Sequence, residues 1–155
     1  VLVMSYEWGY TYGPPMAVAP IGEVRRVLEY AVSRIPQAKV LMGIPNYGYN
    51  WTLPYVRGES RAKSLSNVAA VNLAIAKNAE IQHDEQAATP FFTYFEREGS
   101  RAVEHEVWFD DARSMDAKLR LMNEYALAGG SVWNIMNYFP ALWAVMNSLY
   151  SIRKA

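Results

Sequence analysis

The side chains best suited to chemistry in this 155-residue chain are tyrosine, tryptophan, asparagine and glutamate, and many of them gather beside glycine and proline. Three stretches illustrate this: Trp8-Gly9-Tyr10-Thr11-Tyr12-Gly13-Pro14-Pro15, Asn46-Tyr47-Gly48-Tyr49-Asn50-Trp51 and Asn137-Tyr138-Phe139-Pro140. Tyr and Trp present an apolar ring with a polar edge, so such stretches suit a partner with little charge, either a solute or a protein. A second group has metal-ligand residue types, His83-Asp84-Glu85 and Glu104-His105-Glu106. Both fall on expected strands, where successive side chains alternate between faces, so Glu104 and Glu106 point away from the face that His105 occupies. A metal needs converging ligands. Both groups are therefore read as polar sheet faces, and neither a metal nor another cofactor is expected. The absence of cysteine removes disulfides, thiolate metal sites and cysteine nucleophiles together.

The charge balance narrows the partner further. Fifteen basic and fifteen acidic residues give a formal net charge of +0, with no basic run or stripe. Nucleic-acid affinity rests on Lys and Arg neutralising phosphates, so nucleic acid is excluded as a partner, and a charged membrane surface with it. Hydrophobic residues make up 52% and charged residues 19%, which rules out disorder and supplies one sizeable core. No apolar run reaches the roughly 18 residues of a membrane span. Aromatic residues reach 14%, many of them at expected turns and strand ends, and that placement marks them as site candidates.

The elements that must position these residues follow from periodicity. Val1-Leu2-Val3-Met4-Ser5-Tyr6 reads as a strand from the first residue, with no initiator Met and no signal-peptide lead, which suggests a piece of a longer protein. Residues 7–20 form a Gly- and Pro-punctuated loop. Ile21, Val24, Val27, Leu28, Ala31, Val32 and Ile35 then recur at helical spacing up to Pro36. Val40-Leu41-Met42-Gly43-Ile44-Pro45 has the continuous apolar character of a strand buried on both faces, and residues 46–51 follow as a second aromatic loop. Strand, helix and strand in this order make a right-handed βαβ unit.

Residues 60–111 differ in character and read as an α+β insertion. Ser66 or Asn67 caps a helix to about residue 79; residues 81–84, 91–95 and 103–109 are short strands, the last two a hairpin across Glu98-Gly99-Ser100. Helical spacing returns at Met115, Leu119, Met122 and Ala126, with Asp110 and Asp111 complementing the helix dipole at its start. Gly129-Gly130 is read as its C-cap, residues 131–136 as a third buried strand and residues 141–150 as a last helix. In each strand-loop-helix unit the aromatic and polar residues fall just after the strand, where α/β folds place ligands. The pattern alone suits a barrel or an open doubly wound sheet. Without the insertion each unit has about 35 residues, against about 31 in an eight-unit barrel, so length favours three units of a TIM barrel.

Several segments resemble family 18 glycoside hydrolases. Met4-Ser5-Tyr6-Glu7 is similar to the Met-x-Tyr-Asp segment at barrel strand six, Gly43-Ile44-Pro45-Asn46-Tyr47-Gly48 to Gly-x-Pro-x-Tyr-Gly at strand seven, and Gly129-Gly130-Ser131-Val132-Trp133 to the Gly-Gly-x-x-x-Trp region at strand eight. Tyr6-Glu7-Trp8-Gly9-Tyr10, Ile81-Gln82-His83-Asp84-Glu85 and the stretch from His105 to Ser114 resemble the branch of spore cortex-lytic and germination enzymes, which cut N-acetylglucosamine linkages in peptidoglycan. The resemblance implies a fold class of α/β, the C-terminal three βα units of a TIM (β/α)8 barrel, with residues 1–155 forming one partial domain. It also implies an N-acetylglucosamine-containing glycan as partner, and a location outside the cell or in the wall or spore envelope of a spore-forming bacterium.

The same resemblance implies residue roles. In this family the substrate's own acetamido oxygen is the nucleophile. Tyr6 would donate its hydroxyl to that oxygen and stabilise the oxazolinium. Glu7, where chitinases usually carry Asp, would accept hydrogen bonds from the sugar or acetamide. Trp133 would floor the reactive subsite beneath the C–H face of a pyranose. Tyr47 would border the cleft, with Tyr49, Asn50 and Trp51 further along the glycan. Each has a structural alternative: a core tyrosine, a packed strand tryptophan, a solvated strand-end carboxylate, or loop packing for Tyr10, Tyr12, Tyr49 and Trp51. The family's acid/base glutamate belongs to an Asp-x-x-Asp-x-Asp-x-Glu signature at strand four, a string absent from these residues. A non-catalytic carbohydrate-binding protein on the same fold is therefore the alternative function, and an unrelated α/β enzyme with aromatic loops a third.

Without that acid the chain alone is expected to turn over no N-acetylglucosamine oligomers, and a measurable rate in such an assay would refute the expectation. A three-strand portion of a barrel also leaves parallel edges unpaired. They would be covered by the other half of the barrel, by further chain or by a second copy, and light scattering of the purified chain reporting a stable monomer would count against self-association.

Overall fold

The apolar run after Lys39 becomes the centre of a parallel sheet, and the aromatic run that follows it joins a second, antiparallel one. The structure, a computed structural model, describes residues 1–152. Residues 153–155, the end of the expected 1–155 domain, lie outside the described residues. In chain order the elements are β1 (Leu2–Val3), α1 (Ile21–Arg34), β2 (Leu41–Pro45), β3 (Tyr47–Thr52), β4 (Lys63–Ser66), α2 (Asn67–Lys77), β5 (Gln82–Asp84), β6 (Thr89–Glu98), β7 (Arg101–Trp108), α3 (Ala112–Glu124), β8 (Gly129–Trp133) and α4 (Pro140–Leu149).

The architecture is a mixed α/β fold. β2 lies between β1 and β8, all parallel, with Leu2 opposite Leu41 and the β2–β8 register running from Leu41–Gly129 to Pro45–Trp133. Helices cover this sheet because their apolar residues repeat on one face. Val24 and Leu28 of α1 and Met115, Leu119 and Met122 of α3 meet Met42 and Ile44 of β2 in one buried cluster, joined by Leu142 of α4. A fully buried side chain such as Leu28 stabilises the fold by roughly 1.5–3 kcal/mol. The antiparallel sheet has the order β4-β3-β7-β6-β5 and takes in β3, upstream of the expected insertion at 60–111. α2 packs on it through Ala70 and Ala74, against Phe92, Tyr94, Val107 and Phe109. Among the described residues no helix is long and apolar enough to cross a membrane.

Helix boundaries follow side-chain chemistry. Ser66 caps α2 by accepting from the Ala69 N–H at 3.1 Å. Asp111 caps α3 in a reciprocal box with Ser114: its carboxylate accepts from the Ser114 N–H at 2.8 Å, and the Ser114 hydroxyl accepts from the Asp111 N–H at 2.9 Å. Asp110, expected to complement the helix dipole, is instead buried against Lys118, with side-chain exposures of 2% and 3%. Its backbone N–H donates to Asn67 Oδ1 at 2.9 Å. This pair ties the start of α2 and the end of β7 to α3, and removing one partner of a buried ion pair typically costs about 3–5 kcal/mol.

Three sequence expectations are corrected. Residues 46–51 were read as a loop because of their Gly and Asn, but 47–52 form β3, with Tyr47, Tyr49 and Trp51 on one face, clustered with Val18 and Ala62. Gly48 is required here by close approach: a Cβ would lie 2.2 Å from the Trp108 carbonyl oxygen. Gly129-Gly130 are not the cap of α3. The helix ends at Glu124, Ala126 takes the left-handed conformation (φ 49°), and N–H groups of Ala126 and Leu127 return to the carbonyls of Asn123 and Met122. The glycines open β8. That strand ends at Trp133 rather than residue 136, so Trp133 sits at its C-terminal tip.

Candidate functional site

The site forms where β1 leaves its sheet. Ser5 is buried and its hydroxyl donates to the Gly43 carbonyl at 3.1 Å, fixing the chain against β2 as the strand ends. Tyr6 then lies across Gly43, where a Cβ would come within 2.7 Å of the tyrosine ring and of the Val3 carbonyl oxygen. Glu7 has φ 74°, a left-handed conformation rare for a residue with a long side chain and costing on the order of 1–3 kcal/mol. That turn brings its carboxylate to β3. Tyr47 and Tyr49 both donate their hydroxyls to Glu7 Oε1, the second at 3.1 Å. Their rings meet edge to face, with centroids 5.8 Å apart.

These three residues form one wall of a cavity of about 370 Å³. Ser64, Leu65 and Ser66 of β4 form a second, brought in because β4 pairs with β3 so that Ser66 opposes Tyr47 and Ser64 opposes Tyr49. Trp133, Asn134 and Asn137 complete it from the tip of β8, the indole 58% exposed. Glu7 is the only ionisable carboxylate among these lining residues, and the rest offer hydroxyls, amides, the Leu65 side chain and the flat ring of Trp133.

Burial, reinforced by the hydrogen bond to Glu7 and its charge, holds the Tyr47 phenol well above the ordinary tyrosine range. Burial also raises Tyr49, and burial followed by the Glu7 charge raises Tyr6. The phenols are thus hydrogen-bond donors rather than bases or nucleophiles at neutral pH. Such a surface can hold an uncharged polar ligand that has an apolar face, and can set a carboxylate against a positive charge that develops in it.

Among the expected site residues, Glu7, Tyr47, Tyr49 and Trp133 come together on this cavity, with Tyr6 half-buried beside Glu7. Asn50 and Trp51 do not. Asn50 points from the opposite face of β3, its Nδ2 donating to the Tyr94 hydroxyl at 2.8 Å. Trp51 is fully buried and its Nε1 donates to the Gly13 carbonyl at 2.8 Å, so its expected place along the ligand is corrected to core packing. Asn137 comes from the polar-aromatic stretch expected after the third strand, whereas Ser64, Ser66 and Asn134 were missed as lining residues; only strand pairing and the turn after β8 bring them in. On β7, His105 stacks on Tyr94 at 4.7 Å, whereas Glu106 accepts from Trp108 Nε1 at 2.6 Å on the other face. Among the described residues no group of three His, Asp or Glu is placed to hold a metal ion.

Comparison with known proteins places this geometry in a family. The sequence model of Glycosyl hydrolases family 18 matches residues 1–137. The cortical fragment-lytic enzyme of Bacillus subtilis is 46% identical over 99% of this chain, and the putative sporulation-specific glycosylase YdhD of the same organism is 36% identical over 99%. The crystal structure of the Bacillus cereus spore cortex-lytic enzyme SleL superposes with a TM-score of 0.93 at 44% identity, over 99% of this chain. The chain spans only 35–36% of the length of these relatives.

The raised Tyr47 pKa means that the folded state holds this proton more tightly than the unfolded chain. Its contribution to stability is complete below the unfolded tyrosine value of about 10 and is lost as pH rises beyond it. Urea midpoints measured from about pH 8 to about pH 11 should fall above about pH 10. The Tyr47→Phe variant should show a shallower fall, and identical slopes would contradict the linkage.

Proposed function

The chain belongs to glycosyl hydrolases family 18, and from that premise we propose that it is the C-terminal part of a glycosidase acting on β-linked N-acetylglucosamine polymers. Spore-cortex peptidoglycan is the substrate that the similarity to cortex-lytic enzymes favours, with chitin as its chemical counterpart. The observation that carries this reading is the cavity in which an exposed indole faces a carboxylate held by two phenols. In this reading β1, β2 and β8, with α1, α3 and α4, are three βα units of a TIM barrel, and the antiparallel sheet with α2 is an insertion between the second strand and its helix. The outer edges of β1 and β8 would be covered by the remaining units or by a second copy of the chain. The enzyme would work in the spore envelope.

Hydrolysis would proceed by substrate-assisted retention. The acetamido oxygen of the bound sugar attacks its anomeric carbon as the bond to the leaving oxygen breaks, and a carboxylic acid from another part of the enzyme protonates that oxygen. Water then gives a proton to the same, now ionised, carboxylate as it attacks the anomeric carbon and reopens the oxazolinium ring to the neutral acetamide, restoring the original configuration. Tyr6 would donate to the acetamido oxygen and hold it in line for attack. Glu7 would set its negative charge against the oxazolinium and accept from its N–H. Tyr47 and Tyr49 fix that carboxylate, and Trp133 would lie beneath the apolar face of the pyranose. No cofactor enters the scheme.

The test is Tyr6→Phe in the full-length enzyme, assayed on N-acetylglucosamine oligomers. Loss of one donor aimed at developing charge should lower kcat by about 10²–10³-fold while changing KM far less. An unchanged kcat would remove Tyr6 from the mechanism. A wild-type full-length protein that binds the oligomers without turnover would select the non-catalytic carbohydrate-binding reading instead.

A further inference from the structure

Asn46 sits between β2 and β3 and is 1% exposed, yet its side-chain amide bonds to neither strand. Its backbone N–H and both groups of its side-chain amide turn to the tip of β8 and the segment after it. Its backbone N–H donates to the Trp133 carbonyl at 3.1 Å, continuing the β2–β8 ladder by one step beyond Pro45 and Trp133. Its Oδ1 accepts from the Asn134 N–H at 3.1 Å, and its Nδ2 donates to the Asn137 carbonyl at 2.7 Å. Strand pairing has ended here, and a side chain has taken its place.

The residue type is dictated by this arrangement. One orphan donor and one orphan acceptor must be met from a single point, and a carboxamide carries both groups at one length. The turn it grips is closed internally by the Asn134 side chain, which accepts from the Met136 N–H at 3.0 Å, and by the Asn137 N–H donating to the Asn134 carbonyl at 3.3 Å. Trp133 precedes this turn directly. With more than half of its surface exposed, its indole has too few neighbours for packing alone to fix it, so the backbone on either side must do so.

We propose that Asn46 is a positioning residue, which clamps the turn at residues 133–137 so that the Trp133 indole forms the apolar wall of the cavity. It does not line the cavity and acts only through Trp133, Asn134 and Asn137. The inference rests on the reading of that cavity as a sugar subsite. Loss of the amide leaves a backbone group of the turn without its partner, which frees the turn to move and the indole with it.

A double-mutant cycle in the full-length enzyme tests it, with N-acetylglucosamine oligomers as substrate and Asn46→Asp, Trp133→Ala and the combined variant compared. Asp keeps an acceptor for Asn134 but loses the donor to Asn137. N46D should raise KM about tenfold when Trp133 is present and less than about twofold when it is absent, because coupled residues are not additive. The tryptophan emission difference between forms with and without Trp133 should also change in N46D. A role in stability alone would lower the unfolding midpoint equally in both backgrounds and leave the KM effects multiplicative, and that result overturns the inference. If W133A itself leaves KM and kcat unchanged, the subsite reading fails and this inference with it; a W133A loss with multiplicative N46D effects overturns this inference alone. Should N46D not fold, Asn46→Gln, with both polar groups one methylene further out, takes its place in the same cycle and is read against the same criteria.

Discussion

A single carboxylate held between two buried phenols is the contact around which the rest of this structure is arranged. Glu7 adopts a left-handed backbone conformation to make it, and Tyr47 and Tyr49 give up hydration to reach it. Each of those terms is unfavourable alone. Together they close: the phenols supply the hydrogen bonds that satisfy the carboxylate, and the carboxylate accepts the hydroxyls that burial would otherwise leave unpaired. The price is met by two sheets that cannot move independently, since β2 and β3 are consecutive and only Asn46 separates them.

The sheet-to-sheet junction also explains why a small antiparallel unit belongs to the site. β3 brings the phenols and, by pairing with β4, brings the serines opposite them. The far end of the same unit is anchored where Asp110 meets Lys118 beneath α3, next to the cluster that buries Met42 and Ile44. The unit is thus tied to the parallel sheet at both ends. The polar wall formed by Ser64 and Ser66 can then be held against Trp133, which comes from a different sheet.

Local patterns in the sequence were sufficient for elements whose partners did not matter. The helical spacing of Val24, Leu28 and Ala31, the run around Met42, the Ser66 cap and the hairpin across Gly99 all appear where periodicity and turn chemistry placed them. β3 was misread because its glycine and asparagine signalled a loop, although Tyr47, Tyr49 and Trp51 already alternate with period two. Gly129-Gly130 were misread because a left-handed alanine ends α3 without glycine, a choice that tertiary packing permits and propensity does not reveal. At the site, family resemblance pointed to Tyr6, Glu7, Tyr47 and Trp133, but the burial of Trp51 and the facing of Asn50 depend on which side of β3 meets the residues 7–20 loop. Ser64, Ser66 and Asn134 carry no local signal, since strand register and a turn bring them to the cavity.

The central claim is that the space between Trp133 and the Glu7 carboxylate receives an N-acetylglucosamine unit. A crystal structure of the full-length enzyme bound to an N-acetylglucosamine oligomer measures this directly. The account predicts a pyranose with its apolar face on the Trp133 indole and its acetamido group within about 3 Å of the Tyr6 hydroxyl and the Glu7 carboxylate. A sugar bound elsewhere, with this cavity left to solvent, would contradict it.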